Sequence, residues 1–383
     1  MSKKIYLQIT PFFPSDEHFV GSYIYDQVKA IGRNSDYDVV VIKVVPFYKK
    51  AETTYTYQGI DVHQFKVIDL PSAILPGLFQ TINLMRLEKF LKRVVGVSPK
   101  EIAFVHGHVA YPAGRLAVDF GQKYGIGKFV QHHGLDVMQL TNGRVLKGKL
   151  KLLNDRFVKK SFLRTVNHAD INIGVSQKVL EQLHAIKGYS HTKEYVLYNG
   201  VDTNKFFPTK KRNKRNKFTI GCIGNFWKIK DQITLLKAID ILVNHKKIID
   251  LEVIFVGSGP YLSMCRDFVT ERKLQSFVTF EQEIDHSLLN DFYNDLDLFV
   301  LPSYYEALGC VYMEALQVGI PIIAVEGQGI EEVLDEEEKE HALIPKGDYG
   351  KLAEKIVWHM SSTSQKSHDL SIDKFIQKFM VKL

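Results

Sequence analysis

Pro302-Ser303-Tyr304-Tyr305-Glu306-Ala307-Leu308-Gly309-Cys310-Val311-Tyr312-Met313-Glu314-Ala315-Leu316-Gln317-Val318-Gly319-Ile320-Pro321-Ile322-Ile323-Ala324 is the stretch on which the reading of this chain turns. A short apolar run, Leu298-Phe299-Val300-Leu301, leads into it and reads as a buried strand. Residues 322–325 read as the next strand, and Glu314 lies within a helical pattern between the two. Strand, loop, helix and strand in that order form a βαβ unit. The same alternation extends outward over the whole chain. Strands are expected at 5–9, 39–45, 102–105, 128–131, 171–175 and 195–197 in the first half. In the second half they are expected at 218–223, 251–256, 278–280, 298–301, 322–325 and 343–344. Strands separated by longer helical segments predict an α/β chain with parallel sheets.

A chain of 383 residues suits two domains of ordinary size. The expected boundary is 201–217, a basic interdomain linker that contains Pro208 and the run Lys210-Lys211-Arg212-Asn213-Lys214-Arg215-Asn216-Lys217. Charge is divided unevenly around it: residues 1–200 carry +11, residues 201–217 carry +6 and residues 218–383 carry −10. A composition 45% hydrophobic and 24% charged is that of a globular protein. No apolar run approaches the roughly 20 residues that span a bilayer. Cys222, Cys265 and Cys310 have no metal-ligand spacing, which suits a reducing compartment, so the expected location is cytoplasmic. No nucleic-acid motif accompanies the basic half, and no nucleic-acid partner is expected.

Unusual residues gather just after the expected strands. Pro11, Pro14 and Gly21 follow the first, His106-Gly107-His108 the third, and His132-His133-Gly134-Leu135-Asp136 the fourth. In the second half, Gly224-Asn225-Phe226-Trp227, Gly257-Ser258-Gly259-Pro260 and residues 302–309 do the same. Ligands of open α/β sheets bind outside the carboxyl ends of strands, and two such sheets facing one another would make a cleft for two substrates. Glu306 and Glu314 sit eight apart. Were the intervening residues mostly helix, about 12 Å would separate them at 1.5 Å per residue. Carboxylates that flank a single glycosidic bond in hydrolases stand only about 5–9.5 Å apart. The pair therefore suits two ends of one long ligand. His106 and His108 read as loop histidines lining a second-substrate side rather than zinc ligands, because no third ligand has useful spacing.

With these pieces in order, the sequence resembles the family 4 (group 1) retaining glycosyltransferases of the GT-B fold, of the bacterial polysaccharide-biosynthesis type. The resemblance covers nearly the whole chain. It rests on the Pro-rich loop with Gly21, His106-Gly107-His108, His133-Gly134 with Asp136, Val175-Ser176, Tyr198-Asn199-Gly200-Val201-Asp202, the 224–230 segment, Val256-Gly257-Ser258-Gly259-Pro260 and the Glu306–Glu314 element. It implies two facing Rossmann-like domains: an acceptor-binding domain over 1–200 and a nucleotide-sugar donor-binding domain over 218–360. Residues 361–383 would hold a C-terminal helix crossing back to the first domain. Glu306 matches the glutamate on the donor sugar hydroxyls, and Glu314 the one on the nucleotide ribose. Leu308 and Gly309 match positions whose amides meet sugar and phosphate, Lys230 the basic residue on the diphosphate, His133 the histidine beside the reacting sugar, and Gly21 the glycine near the phosphates. Asn225 and Gly257 would also line the donor side; His106, His108 and Asp136 would line the acceptor side. Asn225 stands where the family commonly has Arg, and Glu306-Ala307-Leu308-Gly309 where it commonly has Glu-Gly-Phe-Gly. Asn225 removes one cation from the phosphate site and leaves Lys230, with Lys228 nearby, to carry it.

The implied activity is transfer of a sugar with retained configuration, from a nucleotide-sugar donor, UDP-linked by family habit, to a lipid-linked or saccharide acceptor in exopolysaccharide, capsule or envelope glycan synthesis. No cofactor is expected, and no metal, because Lys230 and backbone amides can stabilise the departing diphosphate without one. The rival reading, favoured by Asn225 and Ala307, is a non-catalytic nucleotide-sugar-binding subunit that supports a partner glycosyltransferase. The positive first half also raises an expectation of peripheral docking on an anionic membrane surface, at its inner face. Residues 78–95 would contribute an apolar stripe of Leu84, Leu87, Phe90 and Leu91 beside Arg86, Lys89, Lys92 and Arg93. Residues 145–166 would contribute Leu150, Leu153, Phe157 and Phe162 among seven basic residues.

Overall fold

A computed structural model describes residues 3–70, 74–138, 148–190, 193–209, 217–362 and 366–383. The basic run at 210–216 and residues 145–147 of the second expected basic helix lie outside the described residues. The chain divides into two compact units, Met1–Asn199 with Ile372–Leu383, and Gly200–Ser371.

The first unit is built on eight strands: β1 (Ile5–Thr10), β2 (Asp38–Pro46), β3 (Thr54–Tyr57), β4 (Ile60–Val67), β5 (Ile102–His108), β6 (Gly127–His132), β7 (Ile171–Gly174) and β8 (Lys193–Val196). They lie in the order β3-β4-β2-β1-β5-β6-β7-β8, and only β3–β4 is antiparallel. A parallel sheet is covered on both faces, so its inner strands are apolar along their length; every residue of β1 is buried. On one face, Leu7, Ile9 and Val105 pack with Leu87, Leu91, Leu116 and Phe120. On the other, Tyr6, Phe129 and Ile173 meet Ala30 and Ile31 of the helix Ser22–Arg33. The C-terminal helix Ile372–Met380 completes that layer with Ile372, Ile376 and Phe379, all fully buried. Arg33 clamps it, donating from Nη2 to both carboxylate oxygens of Asp373 at 3.0 and 2.9 Å.

The hairpin β3–β4 was not expected. Its signal was present in the alternating Thr54-Tyr55-Thr56-Tyr57 and Ile60-Asp61-Val62-His63 on either side of Gln58-Gly59. Both turn residues have positive φ, 44° and 83°, as a two-residue hairpin turn requires.

The second unit holds β9 (Phe218–Ile223), β10 (Leu251–Val256), β11 (Val278–Glu281), β12 (Leu298–Val300), β13 (Ile322–Val325) and β14 (Leu343–Ile344), all parallel. Their order is β11-β10-β9-β12-β13-β14. Strand order reverses between β9 and β12 here, and between β1 and β5 in the first unit. Loops leaving opposite ways at such a switch point open a crevice at the carboxyl ends of the strands.

Candidate active site

In the second unit, the two loops at the switch point are stitched together. The segment after β9 offers the Ile229 carbonyl, which accepts from the Tyr304 amide at 2.7 Å and from Ser303 Oγ at 3.0 Å in the segment after β12. This brings Lys230 Nζ within 2.5 Å of Glu306 Oε1. Gln232 steadies the first loop, donating from Nε2 to the carbonyls of Gly224 and Asn225 at 3.2 Å each. Asn225 and Trp227 are exposed.

The Gly257-Ser258-Gly259 turn explains itself by packing. Both glycines have φ values, 139° and 148°, that side chains rarely adopt. A Cβ on Gly257 would run into the Gly224 carbonyl, and one on Gly259 would stand 2.6 Å from the Phe226 oxygen. Their bareness admits the neighbouring loop's backbone.

Gly309, at φ 81°, is the N-cap of the helix Cys310–Val318. Helix therefore covers only the second half of the Glu306–Glu314 interval, Glu306 lies in the preceding loop, and the helical rise does not measure their separation. Glu314 is half-buried, and its Oε2 accepts from the Tyr293 hydroxyl at 2.8 Å. Tyr293 is fully buried; burial first, and the Glu314 charge second, push its pKa well above the ordinary phenol value. It stays a donor and fixes the carboxylate's direction.

In the first unit, Gly21 is the N-cap of the helix Ser22–Arg33, at φ 93°. A Cβ there would come within 2.8 Å of the backbone of Phe12 and Phe13, so the Pro-rich loop closes tightly over the helix start. The histidines need a correction. His106 and His108 lie within β5, not in a loop after it, and both are fully buried. They line no exposed acceptor surface; β5 simply runs farther than its apolar residues indicated. Their rings stack at 4.6 Å and 19°, and His108 stacks on His133 at 5.3 Å and 19°. Tyr6 Oη bonds His106 Nδ1 at 3.0 Å, His108 Nδ1 bonds His133 Nε2 at 3.0 Å, and His108 Nε2 bonds Gln8 Oε1.

Asp136 is engaged within its own turn. Its Oδ2 meets His132 Nδ1 at 2.9 Å and the Ala110 amide at 3.2 Å, and its Oδ1 accepts the His133 amide at 3.1 Å. Burial raises its pKa, but the His132 hydrogen bond and the neighbouring imidazoles outweigh it and hold the carboxyl below its ordinary range. His132 is fully buried, its Nε2 3.2 Å from Asn172 Oδ1. Burial pushes His106 down to about 3 and His133 down to about 4, with Asp136 opposing the latter, and pushes His108 well below its usual value. All three are neutral at pH 7. Gln8, Asn172 and Tyr293 belong to none of the motifs in the sequence; Gln8 leaves the clearest trace, as an amide inside an apolar strand.

Two family models match: Glycosyltransferase Family 4 over residues 20–205, and Glycosyl transferases group 1 over residues 203–373. The chain belongs to this glycosyltransferase family. The junction of the two matched regions falls beside the boundary between the compact units at Asn199 and Gly200. Among curated relatives, the chain is 26% identical over 261 residues to the putative teichuronic acid biosynthesis glycosyltransferase TuaC of Bacillus subtilis, covering 66% of this chain and 60% of TuaC. The next two relatives are matched over 46% and 37% of their lengths. Among solved structures, sucrose-phosphate synthase from Thermosynechococcus elongatus superposes with a TM-score of 0.68 at 18% identity, covering 99% of this chain and 94% of that one. HepE from Anabaena, in complex with UDP and glucose, gives 0.66 at 16% identity, covering 100% and 95%. At these identities the structural likeness speaks for the fold: two α/β domains with parallel sheets, as in GT-B glycosyltransferases. No helix among the described residues is long and apolar enough to cross a membrane.

Proposed function

We propose that this chain is a retaining, metal-independent glycosyltransferase that moves a sugar from a UDP-linked donor to a lipid-linked or saccharide acceptor in bacterial surface-polysaccharide synthesis. The observation that carries the reading is the Lys230–Glu306 contact at the switch point of the second unit, 2.5 Å long. A cation and a carboxylate held side by side suit a ligand with a diphosphate next to a sugar: Lys230 takes the former and Glu306 the sugar hydroxyls. Glu314, aimed by Tyr293, would accept the ribose hydroxyls, with the Leu308 and Gly309 amides on sugar and phosphate. Asn225 would bring no charge to the phosphates, which leaves that role to Lys230. In the first unit, His133, its turn held by Asp136, would bond a sugar hydroxyl.

In the step itself, the acceptor oxygen bonds to the sugar's anomeric carbon on the face from which the diphosphate leaves. The bond between that carbon and the phosphate oxygen breaks with its electron pair going to UDP. The acceptor's proton passes to a β-phosphate oxygen. Lys230 and backbone amides stabilise the charge on the departing diphosphate. TuaC and the UDP-bound HepE complex support the polysaccharide and UDP parts of the reading. The test is turnover of UDP-sugars by the purified chain with EDTA present, read by proton NMR of the earliest product. An inverted anomer overturns the retaining mechanism, and loss of turnover in EDTA overturns metal independence.

Membrane docking belongs to this proposal on a revised surface. Leu87 and Leu91 of the expected stripe are fully buried, and Leu84 and Phe90 pack on the same core. What faces outward is Leu78, Ile82, Met85 and Val94, each 43–51% exposed, with exposed Lys89, Lys92 and Arg93. In the helix Gly148–His168, Phe162 is buried while Leu152 and Leu153 are exposed beside Lys151, Arg156, Lys159 and Lys160. The Leu75 amide donates to Asn154 Oδ1 at 2.7 Å, which ties the segment leading into the first helix to the second helix. Exposed apolar side chains among cations match an anionic lipid interface.

A further inference from the structure

Strand register places Gln8 of β1 directly opposite His106 of β5, and His108 two residues on, so an amide and two imidazoles share one buried layer. Such a layer is costly. Gln8 Nε2, His106 Nε2 and Gln131 Nε2 are buried with no hydrogen-bond partner among the described residues. A buried polar group left unmatched costs stability that an apolar side chain of the same shape would not. The contacts that are made therefore need a reason beyond packing.

The reason lies in which atoms can donate. Gln8 Oε1 is a carbonyl oxygen and only accepts, so His108 Nε2 carries the proton in the contact between them. Neutral His108 then has a bare Nδ1. That Nδ1 is 3.0 Å from His133 Nε2, which must in turn be the donor. Neutral His133 is left with a bare Nδ1. Its ring cannot easily turn over to exchange the two nitrogens, being stacked on His108 at 5.3 Å and flanked by Tyr23 at 5.1 Å. The opposite orientation of the Gln8 amide would send the other tautomer along the same path, with N–H at His133 Nδ1.

We infer that Gln8 and His108 are positioning residues that fix the proton of His133 on Nε2, so that His133 Nδ1 accepts a hydrogen bond from a sugar hydroxyl. The identity of that hydroxyl's owner, a saccharide in glycosyl transfer, rests on the function proposed above; the proton relay does not. An imidazole that accepts holds a hydroxyl by its proton and leaves the hydroxyl oxygen's lone pairs unengaged. The other tautomer would donate to that oxygen and draw electron density from it. The relay thus selects how the sugar is held, from a residue two side chains away.

The full chain with ¹⁵N-labelled histidine tests this by long-range proton–nitrogen correlation at neutral pH. Wild type is expected to show His108 and His133 both protonated at Nε2. Gln8→Met removes the acceptor, so both should become tautomer mixtures, and kcat should fall roughly tenfold to hundredfold, the usual scale for outer-shell partners, with little change in donor KM. Gln8→Glu keeps an oxygen that accepts and should restore the Nε2–H signature and most of kcat. His133 protonated at Nδ1 in wild type overturns the inference without any variant having to fold. So does an unchanged His133 signature in Gln8→Met. The expected wild-type signature in a chain that transfers no sugar supports the relay while removing the glycosyl-transfer reading.

Discussion

Glu306→Gln separates what the Lys230 contact does for the fold from what it does for a substrate. In the structure the two side chains are 2.5 Å apart, with Lys230 26% and Glu306 13% exposed. Loss of one partner from a fully buried pair costs about 3–5 kcal/mol, because the other charge is stranded. Lys230 retains a path to water, so its cost falls near the top of the surface range, about 1 kcal/mol. That corresponds to a fall in melting temperature of about 2–4 °C for a unit of this size. A polar contact that strengthens as charge develops in the transition state is worth roughly 10²–10³ in rate, or about 2.7–4 kcal/mol. Glu306→Gln should therefore lose transfer by at least about a hundredfold while remaining folded. UDP alone should bind it as well as wild type or better, since Lys230 is released to the diphosphate. Calorimetric titration with UDP, a thermal melt and initial transfer rates measure the three quantities. Transfer near the wild-type rate, or weakened UDP binding with an unchanged melt, would refute the reasoning.

Three further outcomes are expected. Glu314→Ala should weaken UDP binding by about 1.5–3 kcal/mol, the worth of hydrogen bonds to a charged group, and Tyr293→Phe by about 1 kcal/mol through loss of the bond that aims the carboxylate; equal UDP affinity in Glu314→Ala and wild type removes the ribose role. The folded pKa values of His106 and His133, about 3 and about 4, lie below the 6.5 of a free imidazole. The unfolded chain then binds more protons, so stability should be fully present above about pH 6.5 and decline as pH falls toward 4; urea melts should show this slope, shallower in His106→Phe, and a slope of opposite sign contradicts the assignment. On liposomes, retention should require anionic lipid, fade with salt and drop in the double variant Ile82→Asp, Met85→Asp; equal sedimentation with neutral vesicles, or none at all, sinks the membrane surface.

The class of fold is legible in the order of residues along the chain. Each of the twelve runs read as strands is a strand; the inner ones announce themselves because a strand covered on both faces is apolar along most of its length. The hairpin β3–β4 escaped because half-exposed strands announce themselves by alternation, and Thr54-Tyr55-Thr56-Tyr57 carries it faintly. The sequence also yielded the residue types of the candidate site, since Lys230, Glu306 and Glu314 stand in an ordered series of short motifs. It did not yield their partners. That Gln8 reaches His108 is a matter of strand order and register, and that Tyr293 aims Glu314 across 2.8 Å is a matter of how two helices pack. Gln8 and His108 are a hundred residues apart in sequence and one strand apart in the sheet. The tertiary structure also decided which face of each amphipathic helix is outside. In residues 78–95 the clean apolar stripe Leu84, Leu87 and Leu91 is drawn into the core, because burying it removes the most apolar surface from water. The less regular set Leu78, Ile82, Met85 and Val94 is what remains for a partner.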